Sequence, residues 1–373
     1  MGSRFSRRTI KGSVAPLVIL AALVTVGCGQ QESGGESASE EGSTSQGETA
    51  LPGGSVAERG SVADEGTLVV YSGRNEELVG PIIERFEAES GIDVEVRYGD
   101  TAELAATILE EGENSPADVF LSQDAGALGA VADRGLLSPL PEGPLGQVDE
   151  RFRSPEGEWV GVSGRARVVA YNTEALSEGD LPDSIFGFTE PQWEGRIGWA
   201  PTNGSFQAFV TALRVIEGED EARQWLEGIQ ANAPRVYENN IAILEAVASG
   251  EVDIGLVNHY YLFRKLEEQG EGFPARNYYL KNGDPGALVN VAGVGILRTA
   301  EHPEVARRFV EFLLSEEAQR YFADETFEYP LVDGVPINEN LVPLSEIETP
   351  NIDLSNLDDL EGTLELLRET GVL

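Results

Sequence analysis

The stretch Val252-Asp253-Ile254-Gly255-Leu256-Val257-Asn258-His259-Tyr260-Tyr261-Leu262-Phe263-Arg264 decides how the rest of the chain is read. Residues 254–257 form a short apolar run, expected as a buried strand. Asn258 stands where an N-cap is wanted, and a helical pattern continues to Glu268. Two adjacent tyrosines therefore fall in the first turn of a helix, at the carboxyl end of a strand. In open α/β sheets that edge is where ligands bind. A phenolate is a hard anionic oxygen donor, and because a free phenol titrates near about 10, only a strong Lewis acid displaces its proton at neutral pH. Ferric ion is strong enough. The alternative is a tyrosine pair that packs a domain seam.

Upstream, the chain has the rhythm of βαβ units. Residues 67–71 read as a strand, 81–90 as an amphipathic helix stopped by Gly91, and 93–98 as a second, alternating strand. Thr101 is expected to cap a helix over 102–111 that Gly112 closes, and 117–121 is a third strand. Short parallel strands with right-handed helical crossovers follow. The loops Ser72-Gly73-Arg74-Asn75-Glu76 and Ser122-Gln123-Asp124 then lie on the ligand-binding side.

Further along, residues 168–171 read as a crossover strand into a second domain, preceded by Ser163-Gly164-Arg165-Ala166-Arg167. Pro201-Thr202-Asn203-Gly204-Ser205 leads into a helix over 206–217, and Glu238-Asn239-Asn240 into one over 241–249. With Asn258 these are three helix starts whose backbone N–H groups and dipoles suit an anion. Residues 287–297 read as a strand returning to the first domain. Pro303 opens a helix over 304–324 whose Val305, Phe309, Phe312 and Leu313 make a core stripe. A further short helix is expected over 357–367.

The totals exclude several classes. A chain of 373 residues has room for two domains. Its formal charge of −39 argues against nucleic acid or an anionic membrane surface as partner. The single cysteine, Cys28, excludes an internal disulfide, a zinc cluster and an iron–sulfur site.

Residues 1–27 read as a targeting segment: Arg4, Arg7, Arg8 and Lys11 precede an apolar run over 14–24, too short for a comfortable membrane span. The run ends at Thr25-Val26-Gly27-Cys28, which resembles a bacterial lipoprotein cleavage box and makes Cys28 the lipidated first residue of the mature protein. Ser6-Arg7-Arg8-Thr9-Ile10-Lys11 reads either as a twin-arginine export signal or as an ordinary basic region. Residues 28–65 are rich in Gly, Ser, Glu and Gln, too polar to bury a core, and form a tether with a reach of roughly 30 Å.

Val70-Tyr71-Ser72-Gly73-Arg74, Ser163-Gly164-Arg165-Ala166-Arg167-Val168, Tyr237-Glu238-Asn239-Asn240, Asn258-His259-Tyr260-Tyr261 and Lys281-Asn282-Gly283-Asp284-Pro285-Gly286-Ala287-Leu288 together resemble the ferric-iron substrate-binding proteins of ABC transporters. The resemblance covers residues 66–345. It implies the two-domain type II periplasmic-binding-protein fold, an α/β architecture in which each domain is a mostly parallel sheet flanked by helices and crossover strands form the hinge. The first domain is expected over 66–165 with 291–320, the second over 166–290 with 321–373. In the family the tyrosine pair supplies two phenolate ligands, which fall on Tyr260 and Tyr261. A synergistic phosphate is held at the positions of Thr202, Asn203, Gly204, Ser205, Asn240 and Asn258. Members that use carbonate recruit an extra tyrosine near Ser205 and an arginine matching Arg165. No tyrosine lies there, so phosphate is expected, with Arg165 as a helper.

The chain departs from the family pattern twice. A histidine ligand is Asn75 here, and a glutamate ligand is Gln123. Glu76 or Asp124 are the carboxylates near enough in sequence to substitute. His259 is expected to point away from the metal, because adjacent helical residues face different directions. The implied role is an extracytoplasmic, membrane-anchored monomer that closes about its hinge on ferric iron and an anion, phosphate or carbonate. It would hand the iron to an ABC permease powered by an ATPase. The rival with the same fold is a metal-free ligand such as an organophosphonate, thiamine or a polyamine. An enzyme is the remote alternative, since no nucleophile elbow, HExxH or P-loop is present and only His259 and His302 are available for acid–base work. A purely structural surface lipoprotein fits the anion-suited loops poorly.

Overall fold

A computed structural model describes residues 66–373. The leader, Cys28 and the tether lie outside the described residues. The first half of the body contains β1 (Leu68–Ser72), α1 (Glu76–Ser90), β2 (Val94–Tyr98), α2 (Thr101–Glu111), β3 (Val119–Ser122), α3 (Ala125–Asp133), β4 (Leu137–Ser138), α4 (Glu142–Leu145) and β5 (Trp159–Asn172). Next come β6 (Ile197–Trp199), α5 (Gly204–Glu217), α6 (Glu219–Ala231), β7 (Arg235–Val236), α7 (Asn240–Ala248), β8 (Ile254–Asn258), α8 (Tyr260–Gln269) and β9 (Ala275–Tyr278). The chain ends with β10 (Val289–Leu297), α9 (Pro303–Leu313), α10 (Glu316–Asp324), β11 (Tyr329–Pro330) and α11 (Leu360–Glu369).

The strands run in the order β2-β1-β3-β10-β5-β8-β6-β7. β1 is parallel to β2 and β3, and β6 is parallel to β7 and β8, whereas β5 and β10 run antiparallel to their neighbours. β5 joins the two parallel groups. Its residues 159–166 pair with β10, and its residues 167–172 pair with β8 and β9. All fourteen of its residues are buried. Strand alternation then assigns its side chains to opposite layers. Val169 and Tyr171 join the core under α5 and α6, while Val168 and Ala170 join the core under α7.

Three local expectations change. Asn258 is the last residue of β8, in register with Arg167, and His259 takes the N-cap place of α8 without a side-chain bond. The ladder extends one residue further than the apolar run, so Asn258 is not the cap. The cap of α2 is Asp100, which accepts the Ala102 N–H; Thr101 instead donates to Gly73 O and accepts the Gln123 N–H, tying together the loops after β1 and β3. The helix expected over 304–324 is two helices, because Ser315 accepts the Ala318 N–H and restarts the chain as α10. Phe327, Tyr329, Leu331, Leu341 and Leu357 lie in the core around β1, β3 and β10. Leu366 and Leu367 of α11 join the core under α5 and α6. No helix among the described residues is long and apolar enough to cross a membrane.

Candidate functional site

The loops that follow β1 and β3 and the amino ends of α1, α5, α7 and α8 line one cleft of about 1140 Å³. From one side come Arg74, Asn75, Glu76, Gln123 and Asp124; from the other Asn203, Gly204, Ser205, Tyr260 and Tyr261. The Tyr260 and Tyr261 rings lie 4.2 Å apart at 31°. Tyr260 is buried and Tyr261 partly so. Burial, then the neighbouring Tyr261 and Glu328, hold the Tyr260 phenol well above its ordinary value, with Arg74 acting the other way.

Three arginines surround the pair, all buried: Arg74, Arg165 and Arg167. Arg74 makes an ion pair with Glu328 at 2.6 Å and donates to Gln123 Oε1 at 2.8 Å. Ser163 and Thr326 also donate to Glu328. Arg165 has no such partner: neither Nη1 nor Nη2 is hydrogen bonded. Burial lowers its pKa, the Arg74 charge adds to this, and Tyr260, Glu328 and Asp124 oppose it. Arg167 is lowered to about 10 by burial, opposed by Tyr261 and reinforced by Arg165. A buried cation without a counter-charge is unfavourable. The pocket therefore has an unmet demand for negative charge, which ionised phenols and a bound anion would meet.

The expected anion residues mostly converge. Asn203 caps α5 by accepting the Ser205 N–H, and the Ser205 hydroxyl donates to its Oδ1 at 2.6 Å. Asn240 Nδ2 reaches both Asn203 Oδ1 and Ser205 Oγ at 3.3 Å. Arg167 Nη1 reaches Asn258 Oδ1 at 3.2 Å and Ser205 Oγ at 3.5 Å. Gly204 is on the cleft wall with no atom within contact range of an added Cβ. Thr202 is exposed and outside this network; Asn203, Gly204 and Ser205 line the cleft, whereas Asn240, Asn258, Arg165 and Arg167 are buried behind that lining.

On the opposite wall, Asn75 caps α1 by accepting the Glu77 N–H, and it and Glu76 are exposed. The Gln123 carbonyl is already taken by Arg74. Asp124 accepts the Ala127 N–H at the start of α3, and burial raises its pKa against that bond. His259 faces away from the cleft: Nδ1 accepts the Ala166 N–H at 3.1 Å and its ring stacks on Tyr329 at 4.7 Å. Arg167 is the site residue that the motif reading passed over. Its signal was available, since Arg165 and Arg167 alternate with period two and so share one strand face.

No group of three or more His, Cys, Asp or Glu side chains suited to a metal occurs among the described residues. Oxygen donors here are phenols, amides and single carboxylates, which suits a hard cation bound together with an anion.

The chain is similar to known proteins. The family model described as bacterial extracellular solute-binding protein matches residues 114–354. An Fe(3+)-binding periplasmic protein of Serratia marcescens is 34% identical over 83% of this chain and 92% of its own length. The solved structure of iron-bound HitA from Pseudomonas aeruginosa is 37% identical, with a TM-score of 0.78 over 82% of this chain and 99% of that one. A Trichodesmium protein solved in complex with iron and citrate is 32% identical, with a TM-score of 0.72 over 82% and 99%.

Proposed function

The chain belongs to the bacterial extracellular solute-binding proteins, and from that premise we propose that it captures ferric iron outside the cytoplasm. Tyr260 and Tyr261 supply the phenolate donors. Asn203, Gly204, Ser205, Asn240 and Asn258, with Arg165, hold a synergistic anion. The observation that carries this reading is the tyrosine pair at 4.2 Å beside the buried Arg165, whose Nη1 and Nη2 have no hydrogen-bond partner. Its support from outside the chain is the ferric binding named for its relatives.

Both first-wall carboxylates, Glu76 and Asp124, line the cleft, but Asp124 is engaged by the Ala127 N–H and Glu76 is exposed, so Glu76 completes the iron sphere in place of Gln123, whose oxygen Arg74 occupies. The anion is phosphate rather than carbonate. The cleft of about 1140 Å³ also has room for an organic acid bound with the metal, and one relative is named with iron and citrate. The iron-loaded protein delivers its cargo to an ABC permease driven by an ATPase, while lipidated Cys28 keeps it at the membrane.

The test is a titration of the purified protein with ferric ion from a weak chelator, in buffers with and without phosphate. The readout is the visible phenolate-to-iron charge-transfer band. A band that strengthens with phosphate is expected. Absence of any band in both buffers would sink the iron reading and favour the metal-free ligands.

A further inference from the structure

Arg167 sits on the same strand face as Arg165, two residues on, so their Cα atoms are about 7 Å apart. Both guanidinium groups are buried, and Arg167 forms no ion pair among the described residues. Its one-sided chemistry fixes its neighbours. A guanidinium has only donors, so the oxygen of Asn258 must face it at 3.2 Å. The Asn258 amide is thereby oriented, and its Nδ2 is buried and unpartnered. Ser205 Oγ is held in the same way, 3.5 Å from Arg167 and 3.3 Å from Asn240 Nδ2. Beside these, Arg165 presents two free Nη groups.

We propose that Arg167 is the positioning residue of a dianion site. It turns the Asn258 amide so that Nδ2, together with the guanidinium of Arg165, stands ready for a doubly charged oxyanion before any metal arrives. This rests on the anion reading above and deepens it by naming the residue that sets affinity and charge selectivity. Two like charges held this close out of water favour a divalent over a monovalent anion, because each added negative charge relieves both.

The experiment uses the full chain, stripped of iron, with inorganic phosphate as probe and nitrate as the monovalent comparison. The shift of the thermal unfolding midpoint is followed against anion concentration, and the Asn258 side-chain amide is followed by NMR. In the wild type, phosphate is expected to raise the midpoint and move the Asn258 signal, with nitrate much weaker. Arg167→Gln should need at least about tenfold more phosphate for the same effect, the size expected for losing one charge-assisted hydrogen bond. Arg167→Lys keeps the charge but not the fork, and should recover only part of the loss.

If Arg167→Gln fails to fold, the lysine variant carries the test. Either variant responding to phosphate as the wild type does, whatever its own stability, would overturn the proposal and leave Arg167 a packing residue. A wild type indifferent to phosphate would instead sink the anion reading itself, and this proposal with it.

Discussion

Arg74 and Glu328, separated by 254 positions in the chain, meet in a buried ion pair at 2.6 Å. The pair couples the loop after β1, which forms one wall of the cleft, to the segment between α10 and β11. It also fixes the far end of Arg74, from which Gln123 is held. Removing one member leaves the other charged and buried.

Glu328→Gln is therefore expected to lower unfolding free energy by about 3–5 kcal/mol, measured by denaturant titration of the iron-free protein. A loss under about 1 kcal/mol, the range of exposed pairs, would contradict a tightly buried pair.

Burial lowers the pKa of His259 from 6.5 to about 3. The folded state therefore keeps this ring neutral, with Nδ1 accepting from Ala166, while the unfolded chain protonates it below its ordinary value. Between those two values the unfolded state binds the extra proton. Stability from this group is complete above about pH 6.5 and is lost as pH falls, by about 1.4 kcal/mol per unit. His259→Gln retains an acceptor for the Ala166 N–H without titrating. The slope of stability against pH from 6 to 4 should be shallower in this variant by about that amount. Equal slopes would mean that His259 is protonated in the folded state.

Asn203 has two roles that separate by measurement. As N-cap of α5 its loss in Asn203→Ala should cost about 1 kcal/mol. As the acceptor that orients Ser205 and Asn240, its loss should also weaken the phosphate response of the iron-free protein. A stability loss with an unchanged phosphate response would confine Asn203 to capping.

A side chain at Gly126 would run into the carbonyl of Leu357, where α3 packs against the segment that forms the far rim of the cleft. Gly126→Ala should cost about 1–3 kcal/mol by overpacking, seen as a lowered denaturation midpoint. Wild-type stability would mean that this rim yields easily.

Local signals were the ones legible in the sequence. The apolar run before Tyr260, the βαβ rhythm of residues 67–121 and the helix starts at Asn203 and Asn239 all depend on spacing and caps, and all appear in the fold. The misses have physical causes. Asn258 looks like a cap, but its backbone is claimed by pairing with Arg167, a partner 91 residues away. β5 is fourteen residues long, yet two arginines in its middle interrupt the apolar pattern by which a buried strand is recognised. Ser315 followed by Glu316 and Glu317 was a legible helix start, hidden by the continuous apolar stripe around it. The Arg74–Glu328 pair leaves no local trace, because nothing in either neighbourhood identifies the other. The residues that line the cleft thus had local signals, and the groups that orient them had none.

Joint binding of ferric iron by Tyr260 and Tyr261 is read from the charge-transfer band of the iron-loaded protein in Tyr260→Phe, Tyr261→Phe and the double variant. Each single variant should lose most of the band intensity, and the double variant all of it. A band that persists in the double variant would place the iron elsewhere and contradict joint binding.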